Sequence, residues 1–449
     1  MSLSTPYSLL LTPYSLLLSL YSLLFLTVLL LLGRDGEMQK LAIQGGEKAV
    51  QRLWPKWPQW DEAEVQQLRE VLESPVWGGT GLGPKVRELN ERFARYCDAG
   101  YGVAVANGTV SMELALRGLG IGPGDEVIVP AYTFMATAIV VIQVGATPVF
   151  VDIDPETLCL DPVRTEMAIS ERTRAMIPVH LGGHPADMGA LVDIAQRHGL
   201  KIVEDAAQSH GAIWWDSAGG TRKLGAIGDA GSYSFQQSKN MQCGEGGMVV
   251  TDDKDLADRI HYSLSKFGRG IGDQYAPHVH YHFGFNACIT ELQAALALAQ
   301  FERLEEQAQI RAENGTFLIG VLEEVEGITP LRWASHCARH AYHLFLFRYD
   351  RSAFGGVPKD RFIEALSAEG VPCAGIYPVS LYEQPMYDLE RMVVRDTGTP
   401  IRVTPCPEAA RACEEIVCFS QSMMLAEKDL LQEIPKAIEK IRANVDALR

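Results

Sequence analysis

The 449-residue sequence has no Cys-x-x-Cys pair, no Gly-x-Gly-x-x-Gly after its first strand-like run, and no charged residue before Arg34. The first absence removes zinc ligation at its usual spacing. The second removes the fingerprint of a nicotinamide dinucleotide site. Positive charge is also short: 40 Lys and Arg against 56 Asp and Glu give a formal net charge of -16, so no nucleic-acid partner is expected. The nine cysteines are scattered, and their odd number fits reduced thiols better than a disulfide framework. Three histidines alternate in "HVHYH" (His278, His280, His282) and would share one face of a strand. No carboxylate or cysteine accompanies them at ligand spacing, and no metal is expected. What is present is apolar: 47% hydrophobic against 21% charged residues excludes a disordered chain and supplies a sizeable core.

The uncharged leader is a seven-residue repeat: "TPYSLLL" (Thr5 to Leu11), the same again (Thr12 to Leu18), then "SLYSLLF" (Ser19 to Phe25). A tandem seven-base DNA repeat passes through all three frames and encodes such a pattern. Residues 1–37 therefore read as an apolar extension, mis-assigned or disordered, with Met38 the candidate start. The competing reading is a membrane anchor, although the basic segment that opens a signal peptide is missing. N-terminal mass spectrometry separates the two, because peptides from before Met38 would sink the first.

After Met38, short apolar runs alternate with helical patterns. "VAVA" (Val103 to Ala106), "EVIVP", "TPVFVDID", "AMIPVHL", "KIVEDAA", "GSYSF" and "GMVVTDD" read as strands. "TVSMELALRGLG", "FMATAIVVIQVGA" and "MGALVDIAQRHG" read as helices. This alternation predicts an α/β fold with a mostly parallel central sheet flanked by helices. From about Asn286 a long helical stretch begins, followed by shorter strands such as "YHLFLFRYD" and helices such as "KDRFIEALSAEG". These predict a large domain over 38–300 and a smaller C-terminal α+β domain over 301–449.

Three features sit where a parallel sheet exposes ligands, at strand carboxyl ends. In "VANGTVSMELAL" a strand leads through Asn107, Gly108 and Thr109 straight into a helix. That aims free N–H groups and a positive dipole end at an anion, and an ordinary helix cap is the plainer alternative. In "KIVEDAAQSHG", Asp205 ends a strand, where it could cap a helix or face a cationic ring nitrogen, with Gln208 three residues on. In "GSYSFQQSKNMQCGEGGMVV", Ser234 ends a strand and Lys239 follows on a loop beside Gly244, Gly246 and Gly247. A loop lysine is ordinarily a solvated charge; held in a pocket it can lose its proton and become a nucleophile. A phosphate cradle, an acid for a pyridinium nitrogen and a nucleophilic lysine together form a pyridoxal 5'-phosphate (PLP) site.

At these residues the chain resembles the DegT/StrS family of PLP-dependent sugar and cyclitol aminotransferases, of aspartate-aminotransferase-like fold type I. The likeness runs from "LAIQGG" at Leu41 to the end and is carried by "EDAAQSHGA", "SFQQSKNMQCGEGG" and "FGFNACITELQAAL" in that order. The resemblance implies that Lys239 binds the cofactor covalently, that Asp205 pairs with its ring nitrogen and that Gln208 contacts its ring hydroxyl. It implies phosphate contacts from Thr109 and Ser234, Phe134 stacked on the ring, and His343 near substrate. It also implies a homodimer with shared sites, in which Asn286 reaches the other subunit's phosphate; Cys288 stands where the family often has Arg. The family's sugar dehydratases carry His at the position of Lys239. The implied activity is a cytoplasmic transaminase moving an amino group from glutamine or glutamate to a keto-cyclitol resembling scyllo-inosose, or to a keto-sugar. "SFQQSK" and "YPVSLYEQP" lean toward the cyclitol branch. A nucleotide-sugar aminotransferase for surface polysaccharide and a non-catalytic PLP-binding regulator are the alternatives.

Overall fold

Strands buried on both faces form the middle of one eight-stranded sheet. In chain order these are β1 (Tyr101–Val105), β2 (Glu126–Pro130), β3 (Thr147–Val151), β4 (Thr173–Met176), β5 (Lys201–Asp205), β6 (Ala230–Ser234) and β7 (Gly247–Thr251). Their spatial order is β1-β7-β6-β5-β4-β2-β3, and the short strand Arg402–Val403 closes the far edge beside β3. All pairings are parallel except those of β7, which runs against both β1 and β6. Every residue of β2, β6 and β7 is buried. The computed structural model describes residues 40–79, 83–216 and 219–449; the leading repeat and Met38 lie outside them.

Helices cover both faces. The ones that matter for the site are α1 (Pro84–Tyr96), α2 (Gly108–Gly118), α3 (Ala136–Gln143), α4 (Met188–His198), α5 (Glu291–Glu302) and α6 (Leu304–Leu322). The α4 helix ends at Gly199 in the left-handed conformation (φ 65°), as its sequence predicts. The long helical stretch after Asn286 is two helices, broken at Arg303. That side chain is drawn out of line by Asp61 and Glu64, at 3.0 and 2.8 Å, and donates to the Gln59 carbonyl at 2.9 Å.

A smaller four-stranded sheet is antiparallel: β8 (Ile328–Pro330), β9 (Leu344–Tyr349), β10 (Ala374–Gly375) and β11 (Ile416–Ser420), with β9 and β11 central. Its core joins Phe345, Phe347, Phe362 and Phe419 to Leu41 and Val50 from the start of the described chain. Glu369 ties that early segment down, accepting from the amides of Ala42 and Ala49 at 2.8 and 2.9 Å and pairing with Lys440 at 2.8 Å. Three hydrophobic clusters form the interior of the described residues. Helix α6 joins two of them, Leu304 belonging with Phe93 and Phe235, and Leu318 and Leu322 with Phe345, while Ile416 and Cys418 belong to the core of the large sheet. The histidines 278, 280 and 282 lie on irregular, exposed chain rather than a strand, with His278 at φ 62°. Among the described residues no helix is long and apolar enough to cross a membrane.

Candidate active site

The three sequence features meet in one cavity of about 870 Å³ at the carboxyl ends of β1, β5 and β6. Its anion-facing end is the start of α2. Asn107 caps that helix, its side chain accepting from the Val110 amide at 2.9 Å, which leaves the N–H groups of Gly108 and Thr109 at the cavity wall. Gly108 is required by contact: a Cβ there would stand 2.7 Å from the Cβ of Ser234. Helix α2 is thus pressed directly onto the end of β6, and Gly108, Thr109 and Ser234 share one wall.

Asp205, the last residue of β5, is 5% exposed. One carboxylate oxygen accepts from the Thr137 hydroxyl at 2.9 Å and the other from the Ala207 amide at 3.2 Å. Burial raises its pKa, while Thr137, the Ala207 amide and Lys239 oppose that rise. Phe134 lies just before α3, three residues ahead of Thr137. Its ring is 62% exposed and lines the cavity, so it is no core residue.

Lys239 sits on the loop joining β6 to β7. Two limbs of that loop pair like a hairpin: Phe235 donates to the Gly246 carbonyl at 2.8 Å and Gln237 to the Gly244 carbonyl at 2.9 Å. Gly244 turns at φ 86°, a conformation that side chains disfavour. Burial lowers the Lys239 pKa and Asp205 raises it, so the amine is held toward its neutral form. His343 faces the same cavity. It is buried, its Nδ1 has no protein partner, and burial lowers its pKa and so favours a neutral ring.

Gln208 is 6% exposed; its Oε1 accepts from the Gly182 amide at 2.7 Å, and it lines the cavity together with Tyr377. Asn286 alone among the expected residues stays outside the cavity. It is exposed, and its side chain accepts from the Cys288 amide at 3.2 Å. Two residues escaped the sequence reading. Thr137 follows Phe134 by three residues in the segment the sequence reads as one helix, a spacing that could have found it. Tyr377 belongs to "YPVSLYEQP" but carried no role.

Residues 58–438 match the model of the DegT/DnrJ/EryC1/StrS aminotransferase family. The chain belongs to this family. The L-glutamine:scyllo-inosose aminotransferase of Streptomyces griseus is 38% identical over 427 residues, covering 90% of this chain and 98% of that protein. Among solved structures, 3-amino-5-hydroxybenzoic acid synthase superposes with a TM-score of 0.76 at 30% identity, over 88% of this chain and 99% of the other. The sugar aminotransferase Spr1654 of Streptococcus pneumoniae, in its PLP form, gives 0.72 at 25% identity over 87% and 99%. This member of the DegT/DnrJ/EryC1/StrS family is an aminotransferase of α/β fold.

Proposed function

We propose that this aminotransferase binds PLP at the cavity and moves an amino group from glutamine or glutamate to the ketone of a cyclitol or sugar, acting in the cytoplasm as a homodimer. The observation that carries the reading is the convergence of the open α2 N-terminus, Asp205 and Lys239 on one cavity. The residues fit the cofactor. The contact of Gly108 with Ser234 leaves a wall of N–H and hydroxyl donors suited to a phosphate, and the bare face of Phe134 suits an aromatic ring. Bound PLP supplies an electron sink and a carrier for the amino group.

The chain's own residues do the rest. Gly108 and Thr109 amides, with the Ser234 hydroxyl, hold the phosphate end. Phe134 covers one ring face, and Gln208, held by the Gly182 amide, orients the ring edge. Asp205, its carboxylate fixed by Thr137 and the Ala207 amide, offers a fixed negative charge to a cationic nitrogen. In each half-reaction the amine of Lys239 would accept a proton at Nζ and hand it on, in opposite directions in the two halves. His343 faces the substrate side, and Asn286 serves the second subunit's cavity. The lysine at 239 disfavours a dehydratase, which carries His there. The cyclitol acceptor is supported by the likeness to the Streptomyces griseus enzyme.

The test is the absorption spectrum of the protein with PLP, before and after glutamine. A yellow band that bleaches with glutamine, and returns with scyllo-inosose, supports the reading. A band indifferent to glutamine and glutamate refutes the donors, and no band at all refutes the cofactor.

A further inference from the structure

The segment "WPKWPQW" (Trp54 to Trp60) sets three tryptophans among two prolines, which stiffen it. Its middle tryptophan reaches the loop of Lys239. The Trp57 indole N–H donates to the Gln237 carbonyl at 2.7 Å, joining residues 180 apart in the chain. Gln237 already gives its own amide to the Gly244 carbonyl, so its backbone is gripped on both sides. Two residues on, the Lys239 amide donates to the Gln236 carbonyl at 2.9 Å and closes a tight turn. Just beyond, the Asn240 side chain donates to the Ala341 carbonyl at 2.7 Å. The lysine therefore stands on a turn fixed at one end by Asn240 and at the other by Trp57.

Trp57 is itself held by the helices beneath it. The neighbouring Gln59 carbonyl accepts from Gln300 and Arg303 at 2.8 and 2.9 Å, and the Gln59 side chain accepts from Gln307 at 3.0 Å. One turn past Gln307 on α6, Arg311 is completely buried, and its guanidinium lies over the Trp57 ring at 5.5 Å. Among the described residues no carboxylate pairs with it. Its Nη2 donates to the side chains of Gln421 and Gln307 at 2.6 and 3.2 Å and its Nε to Gln421 at 3.2 Å, while Nη1 has no hydrogen-bond partner. Burial lowers its pKa to about 9, so the group stays charged at neutral pH. A buried cation without an anion works against the stability of a fold, and the electron-rich face of Trp57 offsets part of that cost. Neither Trp57 nor Arg311 lines the cavity, so both act on the lysine at one remove.

We infer that Trp57 is a positioning residue for Lys239: Arg311 steadies its ring, and its indole N–H passes that constraint to the turn that bears the lysine. The inference rests on reading the cavity as a PLP site. There Nζ must meet the cofactor aldehyde, where a C–N bond forms and the aldehyde oxygen leaves as water with the two amine protons. A turn released at Gln237 would spread Nζ over more positions, fewer of them productive.

The test gives two ligands to cofactor-free protein. Saturating PLP reads the lysine, through the rate at which the yellow band appears. Pyridoxamine phosphate has no aldehyde and reads the rest of the cavity, through its Kd. Trp57→Phe keeps a ring over Arg311 and removes the indole donor; Arg311→Met removes the charge. Trp57→Phe should slow band formation about threefold to tenfold, the range one net hydrogen bond spans, and should bind pyridoxamine phosphate within about twofold of native. Arg311→Met should act in the same direction, and Trp57→Phe decides alone if Arg311→Met does not fold. The inference is overturned if Trp57→Phe forms the band at the native rate, or if both ligands are weakened alike. It is also overturned if Trp57→Phe loses native circular dichroism, since the residue then serves the fold at large. A native protein that forms no yellow band refutes the cofactor reading instead, whereas a native band with unchanged variants refutes this inference alone.

Discussion

Gly108→Ala is the sharpest probe of the anion-facing wall. The added Cβ would stand 2.7 Å from the Cβ of Ser234 and 3.2 Å from its Cα and hydroxyl, where ordinary contact begins at 3.4 Å. The hydroxyl can rotate but the Cβ and Cα of Ser234 cannot, so α2 must part from β6 by about 0.7 Å to reach that limit. Overpacking of this kind costs about 1–3 kcal/mol of stability. The same shift displaces two amide donors and a hydroxyl relative to each other. Losing one charge-assisted hydrogen bond, about 1.5–3 kcal/mol, weakens phosphate binding at least roughly tenfold. Urea denaturation and PLP titration measure the two effects. Adding Ser234→Gly removes the closest contact but also a donor hydroxyl, so the double variant should recover part of the stability and little of the affinity. A Gly108→Ala protein that binds PLP within about twofold of native would refute the argument, since a tenfold loss is the smallest one hydrogen bond allows.

Other outcomes follow from the same geometry. Lys239→Ala should retain native circular dichroism and lose transamination; retained turnover would remove Lys239 from the chemistry. Thr137→Val should raise the Asp205 pKa beyond the rise that burial already causes, because it removes a donor to the carboxylate. An infrared titration of the cofactor-free protein against Asp205→Asn reads that shift, and Thr137→Ser should cancel it. Because burial lowers the Lys239 pKa below 10.5, the folded state binds its proton less readily than the unfolded chain. Native stability should therefore climb as pH rises from the folded pKa to the unfolded one. In cofactor-free protein Lys239→Met should be the more stable variant at neutral pH, with an advantage that fades toward pH 10.5. Parallel pH curves for the two proteins would contradict the shift.

Much of this architecture could be read from local pattern, and the exceptions have tertiary causes. "EVIVP" and "GMVVT" announce buried strands by continuous apolar runs, and both are strands. "AMIPVHL" reads as one strand, yet β4 ends at Met176, where Pro178 has no N–H to continue the ladder. The break at Arg303 is invisible to periodicity because both flanks are helical; ion pairs with Asp61 and Glu64, 242 and 239 residues away in the chain, mark it. Lys239, Asp205 and Gly108 stood out together because each follows or ends a strand of the parallel sheet and their chemistries combine into one site. Thr137 did not, since a threonine inside an apolar helix gains its role only when β5 delivers Asp205 beside it. Asn286, expected at the site, stays outside the cavity of its own chain, because its segment is exposed and its side chain turns back to the Cys288 amide.

The reversed strand β7 sets a further constraint. It is hydrogen-bonded along five residue pairs to β1 and four to β6, and its side chains alternate between two cores: Met248 and Val250 in one, Val249 in the other. Adding or deleting one residue between Ser234 and Gly247 cannot be absorbed by sliding β7, because a single step would exchange those cores. Any change of length in the segment that bears the lysine therefore has to be taken up inside its own turn, between the pairs Phe235–Gly246 and Gln237–Gly244, where it would move Lys239 before it moved either core.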